Sequence, residues 1–121
     1  MNKQPLLIFF ISLLFLISIQ SCSRPFAENQ LLFGAEAARK DLWDEAIFRW
    51  KKVIVSNPQS AAAHNNLAVA YEKKGLWDEA NKEYEIALKL SPENKYIKSN
   101  YQEFKNYYDL KKKEEKKDEK Q

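Results

Sequence analysis

The chain repeats itself with a period of about 34 residues. The stretch Leu-Trp-Asp-Glu-Ala at positions 42–46 recurs at positions 76–80, and the Asn-Pro pair at 57–58 matches a Ser-Pro pair at 91–92 with the same spacing. A five-residue identity in register with a proline position indicates a duplicated structural unit, which buries its apolar face by stacking on its neighbour.

The repeated unit has the pattern of two helices joined by a turn. Gly75 can adopt a positive φ and end one helix, and Asp41 holds the matching position in the first copy. Pro58 and Pro92 stop the second helix of each copy. The chain has only two glycines and no Asn-Gly turn, so β-hairpins are not expected. Apolar side chains on one face of the second copy's second helix are Trp77, Ala80, Tyr84, Ala87 and Leu88.

This unit resembles the tetratricopeptide repeat, a helix-turn-helix motif with the same period. We assign residues 27–60 to the first repeat and residues 61–94 to the second. The positions that carry the resemblance are Leu67, Ala68, Tyr71, Gly75, Ala80, Tyr84, Ala87 and Pro92 in the second copy, and Phe33, Gly34, Ala46, Trp50 and Pro58 in the more divergent first copy. The resemblance implies an all-α fold, a short α-solenoid of two repeats followed by a C-terminal capping helix.

The capping helix is expected at residues 95–110. Ile97, Tyr101, Phe104 and Tyr108 follow one another at spacings of four, three and four, which is an amphipathic stripe. Ser91, with Pro92 behind it, is the expected N-cap of this helix. Residues 111–121 have no apolar side chain, and we predict a charged tail that is disordered or, alternatively, a frayed extension of the helix.

The N-terminus is expected to be an export signal. The apolar run from Leu6 to Ile19 is shorter than the roughly 20 residues that a helix needs to cross a bilayer, and it is typical of a signal-peptide core. The only cysteine follows, and Ile-Gln-Ser-Cys at 19–22 resembles the lipobox of bacterial lipoproteins, with Gln20 departing from the usual small residue.

The lipobox resemblance implies a signal peptide at 1–21, a covalent lipid on Cys22 and a lipidated linker at 22–26. Two or three acyl chains anchor a protein stably, whereas one is marginal. An uncleaved N-terminal membrane helix is the alternative. In either case we expect the domain in the bacterial cell envelope, with the outer membrane favoured because Ser23 is not the aspartate that retains some lipoproteins at the inner membrane.

No catalytic or metal site is predicted. His64 is the only histidine and the only cysteine is Cys22, so ordinary zinc ligand sets are missing, and we interpret His64 as a packing residue. The adjacent acidic pairs at 44–45 and 78–79 do not face each other on a helix and suit helix N-termini instead. We expect no cofactor apart from the lipid. The net charge of +3 is too balanced for nucleic-acid binding.

The resemblance also implies a concave groove lined by the first helix of each repeat, in which a partner peptide binds. By register, the groove residues are Leu31, Ala35, Arg39, Asn65, Asn66, Val69, Glu72, Lys73, Tyr96 and Asn100. One repeat subtype grips a peptide's terminal carboxylate with lysine, asparagine and arginine. Only Asn66 fits that scheme, so we expect no carboxylate clamp.

Three functions are compatible with these features. The favoured one is a membrane-anchored protein-interaction module, an adaptor or assembly factor that binds an envelope protein or peptide. A homo-oligomeric, self-associating envelope subunit is the second, because about three repeats are usually needed for stability. The third is a binder of a small apolar ligand that uses the Trp- and Tyr-rich interior. Trp43, Trp50 and Trp77 also suggest a platform for a carbohydrate or an aromatic ligand, although aromatic residues at helical spacing more often pack in a core.

Overall fold

The computed structural model describes residues 23–118 as a run of five antiparallel α-helices. Each helix packs mainly on its neighbours in sequence, with a smaller contact between the first and third, as expected of a solenoid. The predicted signal peptide, the lipid on Cys22 and residues 119–121 lie outside the described residues. The helices are α1 Ser23–Arg39, α2 Trp43–Ser56, α3 Ala61–Lys73, α4 Trp77–Leu90 and α5 Lys95–Asp118.

The turns inside the two repeats have the same geometry. Asp41 has a φ of 57° and Gly75 a φ of 72°, so both occupy the left-handed region, as we expected. The amides of the next residues, Leu42 and Leu76, each donate to a carbonyl five residues earlier at 2.9 Å. This is the Schellman closure of a helix C-terminus.

The turns that precede α3 and α5 also have the same geometry, and this corrects the predicted N-cap of α5. The Ser60 hydroxyl accepts from the Ala63 amide at 3.3 Å. Its counterpart in the repeat register, Asn94, accepts from the amides of Tyr96 and Ile97 at 3.0 and 3.2 Å. The N-cap of α5 is therefore Asn94 and not Ser91, because residues 91–94 form the turn that residues 57–60 form in the first repeat.

The core follows the predicted small and large positions. Ala46 and Ala80 are fully buried where the two helices of each repeat meet. One cluster surrounds Trp50 and the other surrounds Tyr84. Phe104 of α5 is 1% exposed, with its ring centroid 5.0 Å from that of Tyr84, so the last helix caps the second cluster.

We predicted that helix α5 ends at residue 110, but it continues to Asp118. The Tyr108 hydroxyl donates to Asp78 at 2.6 Å, and Lys112 pairs with the same carboxylate at 3.2 Å. Ion pairs one turn apart, such as Lys111 with Glu115 at 3.7 Å, support the exposed part. Residues 111–118 therefore extend the helix, which was our alternative to a disordered tail. Helix α1 likewise begins at Ser23, inside the predicted linker.

None of the helices within residues 23–118 is long and apolar enough to cross a membrane.

Candidate functional site

A groove runs along the inner side of α1, α3 and α5. It contains an open cavity of about 350 Å³, at the lower end of the usual range for ligand sites of roughly 300–1,000 Å³. Its walls come from four helices, because α2 contributes two tryptophans from behind. The lining residues are Ala35, Ala38, Arg39, Trp43, Trp50, Asn65, Asn66, Val69 and Asn100.

The floor at the α1 end is apolar and rests on a close contact between helices. Trp50 is 3% exposed, and its indole N–H donates to the Leu31 carbonyl at 3.2 Å. A Cβ atom added at Gly34 would come within 2.8 Å of the indole Cδ1. The missing side chain at Gly34 therefore lets α1 lie against the ring, and this contact fixes the wall that carries Ala35 and Ala38.

The middle of the groove holds a chain of side-chain amides. Asn100 of α5 donates to the Asn65 carbonyl oxygen at 3.1 Å, and Asn65 donates to the Asn66 carbonyl oxygen at 3.3 Å. Asn65 is almost buried, at 9% exposed. The chain leaves the Asn66 amino group at one end and the Asn100 carbonyl at the other, a donor and an acceptor that suit the C=O and N–H of a peptide backbone.

The charged residues at the rim are partly engaged with their own chain. Arg39 pairs with Glu36 at 2.9 Å and stays largely exposed. Glu72 accepts the Tyr84 hydroxyl at 3.1 Å. Burial, followed by the charge of the Glu72 carboxylate, raises the pKa of the Tyr84 phenol. Glu72 therefore holds the buried tyrosine, and the exposed cation at the rim of this groove is Arg39, which also pairs with Glu36.

Six of the ten predicted groove residues line the cavity, and they are Ala35, Arg39, Asn65, Asn66, Val69 and Asn100. The other four lie outside it. Leu31 packs on the first core cluster, Glu72 bonds to Tyr84, Lys73 is exposed at the end of α3, and Tyr96 is 83% exposed at the start of α5.

The two tryptophans of the lining were not among the predicted groove residues. Trp43 and Trp50 were interpreted as core residues, and both do pack in the first cluster. The repeat register identifies them as core positions, but whether the edge of a core ring also reaches the groove depends on the packing of α1, α2 and α3. The sequence holds no signal for that.

His64 has a structural position. It is 6% exposed, with Nδ1 at 2.6 Å from a Glu83 carboxylate oxygen and Nε2 at 3.0 Å from the Pro58 carbonyl oxygen. The ring thus joins α3, α4 and the turn before α3, as a packing residue would. Across residues 23–118, no three His, Cys, Asp or Glu side chains come together in a way that would hold a metal ion.

The acidic pairs connect consecutive units. Asp44 pairs with Lys74 at 2.9 Å, and Asp78, its counterpart in the second repeat, accepts from Tyr108 at 2.6 Å. In both cases the aspartate at the start of a repeat's second helix contacts a residue 30 positions further along the chain, in the next unit. The Tyr108 hydroxyl, followed by the Lys112 ammonium, lowers the pKa of Asp78.

Comparison with known proteins identifies the repeats. A family model described as tetratricopeptide repeat matches residues 61–94, and a second, described as TPR repeat, matches residues 40–75. The mouse (Mus musculus) protein named Protein O-mannosyl-transferase TMTC4 is 48% identical over 50 residues. That match covers 41% of this chain and 7% of the mouse protein's length, so the chain spans only a small part of that relative.

These matches and the five helices confirm the predicted fold class. Repeats of this class build scaffolds that bind proteins or peptides. The described part of the chain is a short all-α solenoid of tetratricopeptide repeats, closed by a C-terminal helix.

Proposed function

We propose that this protein is a membrane-anchored interaction module of the bacterial cell envelope, an adaptor or assembly factor that binds a peptide segment of another protein in its groove. The amide chain of Asn66, Asn65 and Asn100 is the observation that carries the proposal. It presents a donor and an acceptor to the groove, beside an apolar floor that includes Val69.

An extended peptide suits this arrangement better than a small rigid ligand does. The free donor and acceptor pair with backbone groups, which every peptide carries, and the alanines and Val69 accept a small apolar side chain. The cavity of about 350 Å³ holds a few side chains only, so the rest of the partner lies outside. Arg39 at the rim favours an acidic side chain in the bound segment.

The proposed anchor is the N-terminal segment. Its support is the apolar run from Leu6 to Ile19, followed by Cys22 in a lipobox-like context. Because α1 begins at Ser23, a lipid on Cys22 would lie next to the folded domain. The outer membrane is the proposed location, since Ser23 is not an aspartate.

We propose no sugar transfer for this chain. The name of the mouse relative describes that protein, and the match covers only 7% of its length. The ligand-binder alternative also has less support, because Trp77 packs on Phe104 and Tyr107 of α5, with ring centroids 6.4 and 5.0 Å away, and only Trp43 and Trp50 line the groove.

Site-specific crosslinking in a bacterial envelope tests the proposal. A photoreactive amino acid at Val69 of the full-length chain is expected to capture one dominant envelope protein. The same amino acid at Ile86, which is 39% exposed on α4 and outside the groove, is the matched control and is expected not to capture it. Equal capture from both positions, or capture of this chain alone from Val69, would contradict the groove as the partner site.

The anchor is tested on the same material. The intact mass of the chain from the membrane fraction is expected to show cleavage before Cys22 and two or three acyl chains. A full-length unmodified chain would contradict the lipoprotein and leave the uncleaved membrane helix.

A further inference from the structure

The first helix exposes an aromatic side chain at a position that the next repeat buries. Phe33 is 55% exposed, whereas Leu67, its counterpart in the second repeat, is 2% exposed. Leu67 is covered because it packs on the cluster around Trp50 of α2. Within residues 23–118, no helix lies before α1 to cover Phe33 in the same way. The solenoid therefore has an open apolar edge at its N-terminal end.

Basic groups lie over the exposed rings of this edge. The Arg49 guanidinium carbon is 5.7 Å from the Phe33 ring centroid and 5.8 Å from that of Phe48. The Lys52 ammonium is 4.4 Å from the Phe48 ring. Phe26, two helical turns before Phe33, is 47% exposed on the same side of α1. We name Phe26, Phe33, Phe48, Arg49 and Lys52 the basic-aromatic edge.

This composition is characteristic of surfaces that sit at a lipid interface. Phenylalanine rings bury at the boundary between the headgroups and the acyl chains of a bilayer, and lysine and arginine extend their charges toward lipid phosphates. Arg49 shares its charge with Glu45 at 2.6 Å, whereas Lys52 has no carboxylate within ion-pair distance in the described part of the chain. An anionic surface would thus give Lys52 a negatively charged partner, which Arg49 already has in Glu45.

The basic-aromatic edge begins a few residues after the segment that we propose as the anchor. The apolar run ends at Ile19, four residues before α1 begins at Ser23. With a rise of about 1.5 Å per residue, Phe26 and Phe33 lie about 5 and 15 Å along the helix axis from Ser23. A chain that leaves the bilayer near Cys22 therefore brings this edge to the lipid headgroups.

We infer that the basic-aromatic edge rests on an anionic bilayer surface and that this contact holds the groove facing away from the membrane. Phe33 and Ala35 are two residues apart and so point about 160° apart around α1. Ala35 lines the groove, so a membrane on the Phe33 side leaves the groove open to a soluble partner. The inference rests on the proposed membrane anchor.

A second copy of this chain is the competing occupant of the basic-aromatic edge. In a two-fold dimer the same patch meets itself, so Arg49 and Lys52 of one copy would face a patch that carries the same two basic side chains. Like charges brought together in an interface disfavour that arrangement. A bilayer rich in phosphatidylglycerol offers the opposite charge and an apolar layer for the rings.

Hydroxyl-radical footprinting of the full-length chain in vesicles tests the inference one side chain at a time. In phosphatidylglycerol vesicles, oxidation of Phe33 and Phe48 is expected to fall relative to Tyr96 and Tyr107, which are 83% and 55% exposed on α5. The protection is expected to weaken in phosphatidylcholine vesicles. Lys52→Gln is expected to shift the docking equilibrium about fivefold toward the free state, with Lys89→Gln on α4 as the matched control.

The outcomes separate the edge from the anchor. A chain that floats with the vesicles while Phe33 and Phe48 stay as reactive as Tyr96 overturns the membrane contact and leaves the anchor intact. A chain that does not float contradicts both proposals. Protection that depends on protein density, and that persists without anionic lipid, assigns the edge to a second copy and overturns the inference.

Discussion

The two repeats solve the same packing problem with different pairs of residues. In the first repeat Gly34 lies against the indole of Trp50, and in the second Ala68 lies in the cluster of the smaller phenol ring of Tyr84. Both rings are buried, at 3% and 1% exposed. The larger ring is thus paired with the smaller helix residue. Close packing of the interior explains this pairing if the combined volume of the two residues is what the contact constrains.

The two rings also differ in how their polar ends are satisfied. The Trp50 N–H donates to a backbone carbonyl, that of Leu31, whereas the Tyr84 hydroxyl donates to the side chain of Glu72. A buried donor needs some partner, but the partner is taken from whichever group the local helix offers.

The two ends of the solenoid differ as well. Helix α5 has the repeat register of a first helix. The face with which α3 packs on α4 is polar in α5. The polar side chains at these positions are Lys98, Gln102 and Lys105. Within residues 23–118 this face meets solvent, as the outer face of a capping helix does. The N-terminal end, by contrast, presents the half-exposed rings of Phe33 and Phe48.

The largest expected effect tests the difference in packing between the two ends of the solenoid. Phe104→Ala removes a ring that is 1% exposed and packs on Tyr84, so we expect a loss of roughly 3–5 kcal/mol in the free energy of unfolding. Phe33→Ala at the open end is expected to change it by no more than about 0.5 kcal/mol without anionic lipid. Denaturant unfolding followed by circular dichroism measures both. Similar losses would show that the two ends are equally packed.

The next effect tests the paired volumes. Gly34→Ala forces a Cβ against the Trp50 indole, so we expect a loss of roughly 1–3 kcal/mol from overpacking. The double variant Gly34→Ala with Trp50→Tyr reproduces the pair of the second repeat and is expected to recover part of that loss. The same unfolding experiment gives both values. A double variant no more stable than Gly34→Ala alone would refute the compensation.

A smaller effect concerns the polar end of the Tyr84 ring. Tyr84→Phe keeps the ring and removes the hydroxyl that donates to Glu72, so we expect a loss of about 1 kcal/mol. Tyr101→Phe is the matched control, because its hydroxyl makes only a long, exposed contact of 3.5 Å with Glu85. Equal effects of the two changes on unfolding would show that burial of the hydroxyl does not matter here.

The smallest effect is a pH dependence at the C-terminal helix. Since the Tyr108 and Lys112 contacts lower the pKa of Asp78, its contribution is present above the ordinary pKa of aspartate and is lost as the pH falls through the lowered value. The hydrogen bond to Asp78 raises the pKa of Tyr108, so the tyrosine's contribution is present below the ordinary tyrosine pKa and is lost as the pH rises through the raised value.

Hydrogen exchange of residues 108–118 measures this pH effect. We expect faster exchange in acid than at neutral pH, once the intrinsic pH dependence of exchange is divided out, and Asp78→Asn is expected to bring neutral-pH exchange close to the acid level. Asp44→Asn removes the equivalent contact to Lys74 in the first repeat and is expected to leave these amides unchanged. A response of the helix end to Asp44→Asn would mean that the two contacts are not independent.

Most of the fold could be predicted because the repeat register is a local signal. The buried alanines at 46 and 80, the left-handed turn residues and the stripe on α5 all follow from helical spacing and turn chemistry. The cap of α5 was misplaced because serine before proline is a good local start signal. The repeat register, applied to Ser60, would have identified Asn94 instead.

The candidate site could be predicted less fully. Register placed six of its residues in the groove, because the first helix of each repeat faces the same side. It could not place Glu72, whose carboxylate turns to Tyr84, or the tryptophan edges that close the groove from α2. Those outcomes depend on side-chain contacts between helices, which a one-dimensional pattern does not contain.

The sequence by itself determined the number of repeats, their helices and the positions of their small and large core residues, because these depend on spacing within a few turns of chain. The tertiary structure alone decided the amide chain from Asn66 to Asn100 and the exposure of Phe33. Each of these depends on which helix lies beside another, and only packing in three dimensions sets that.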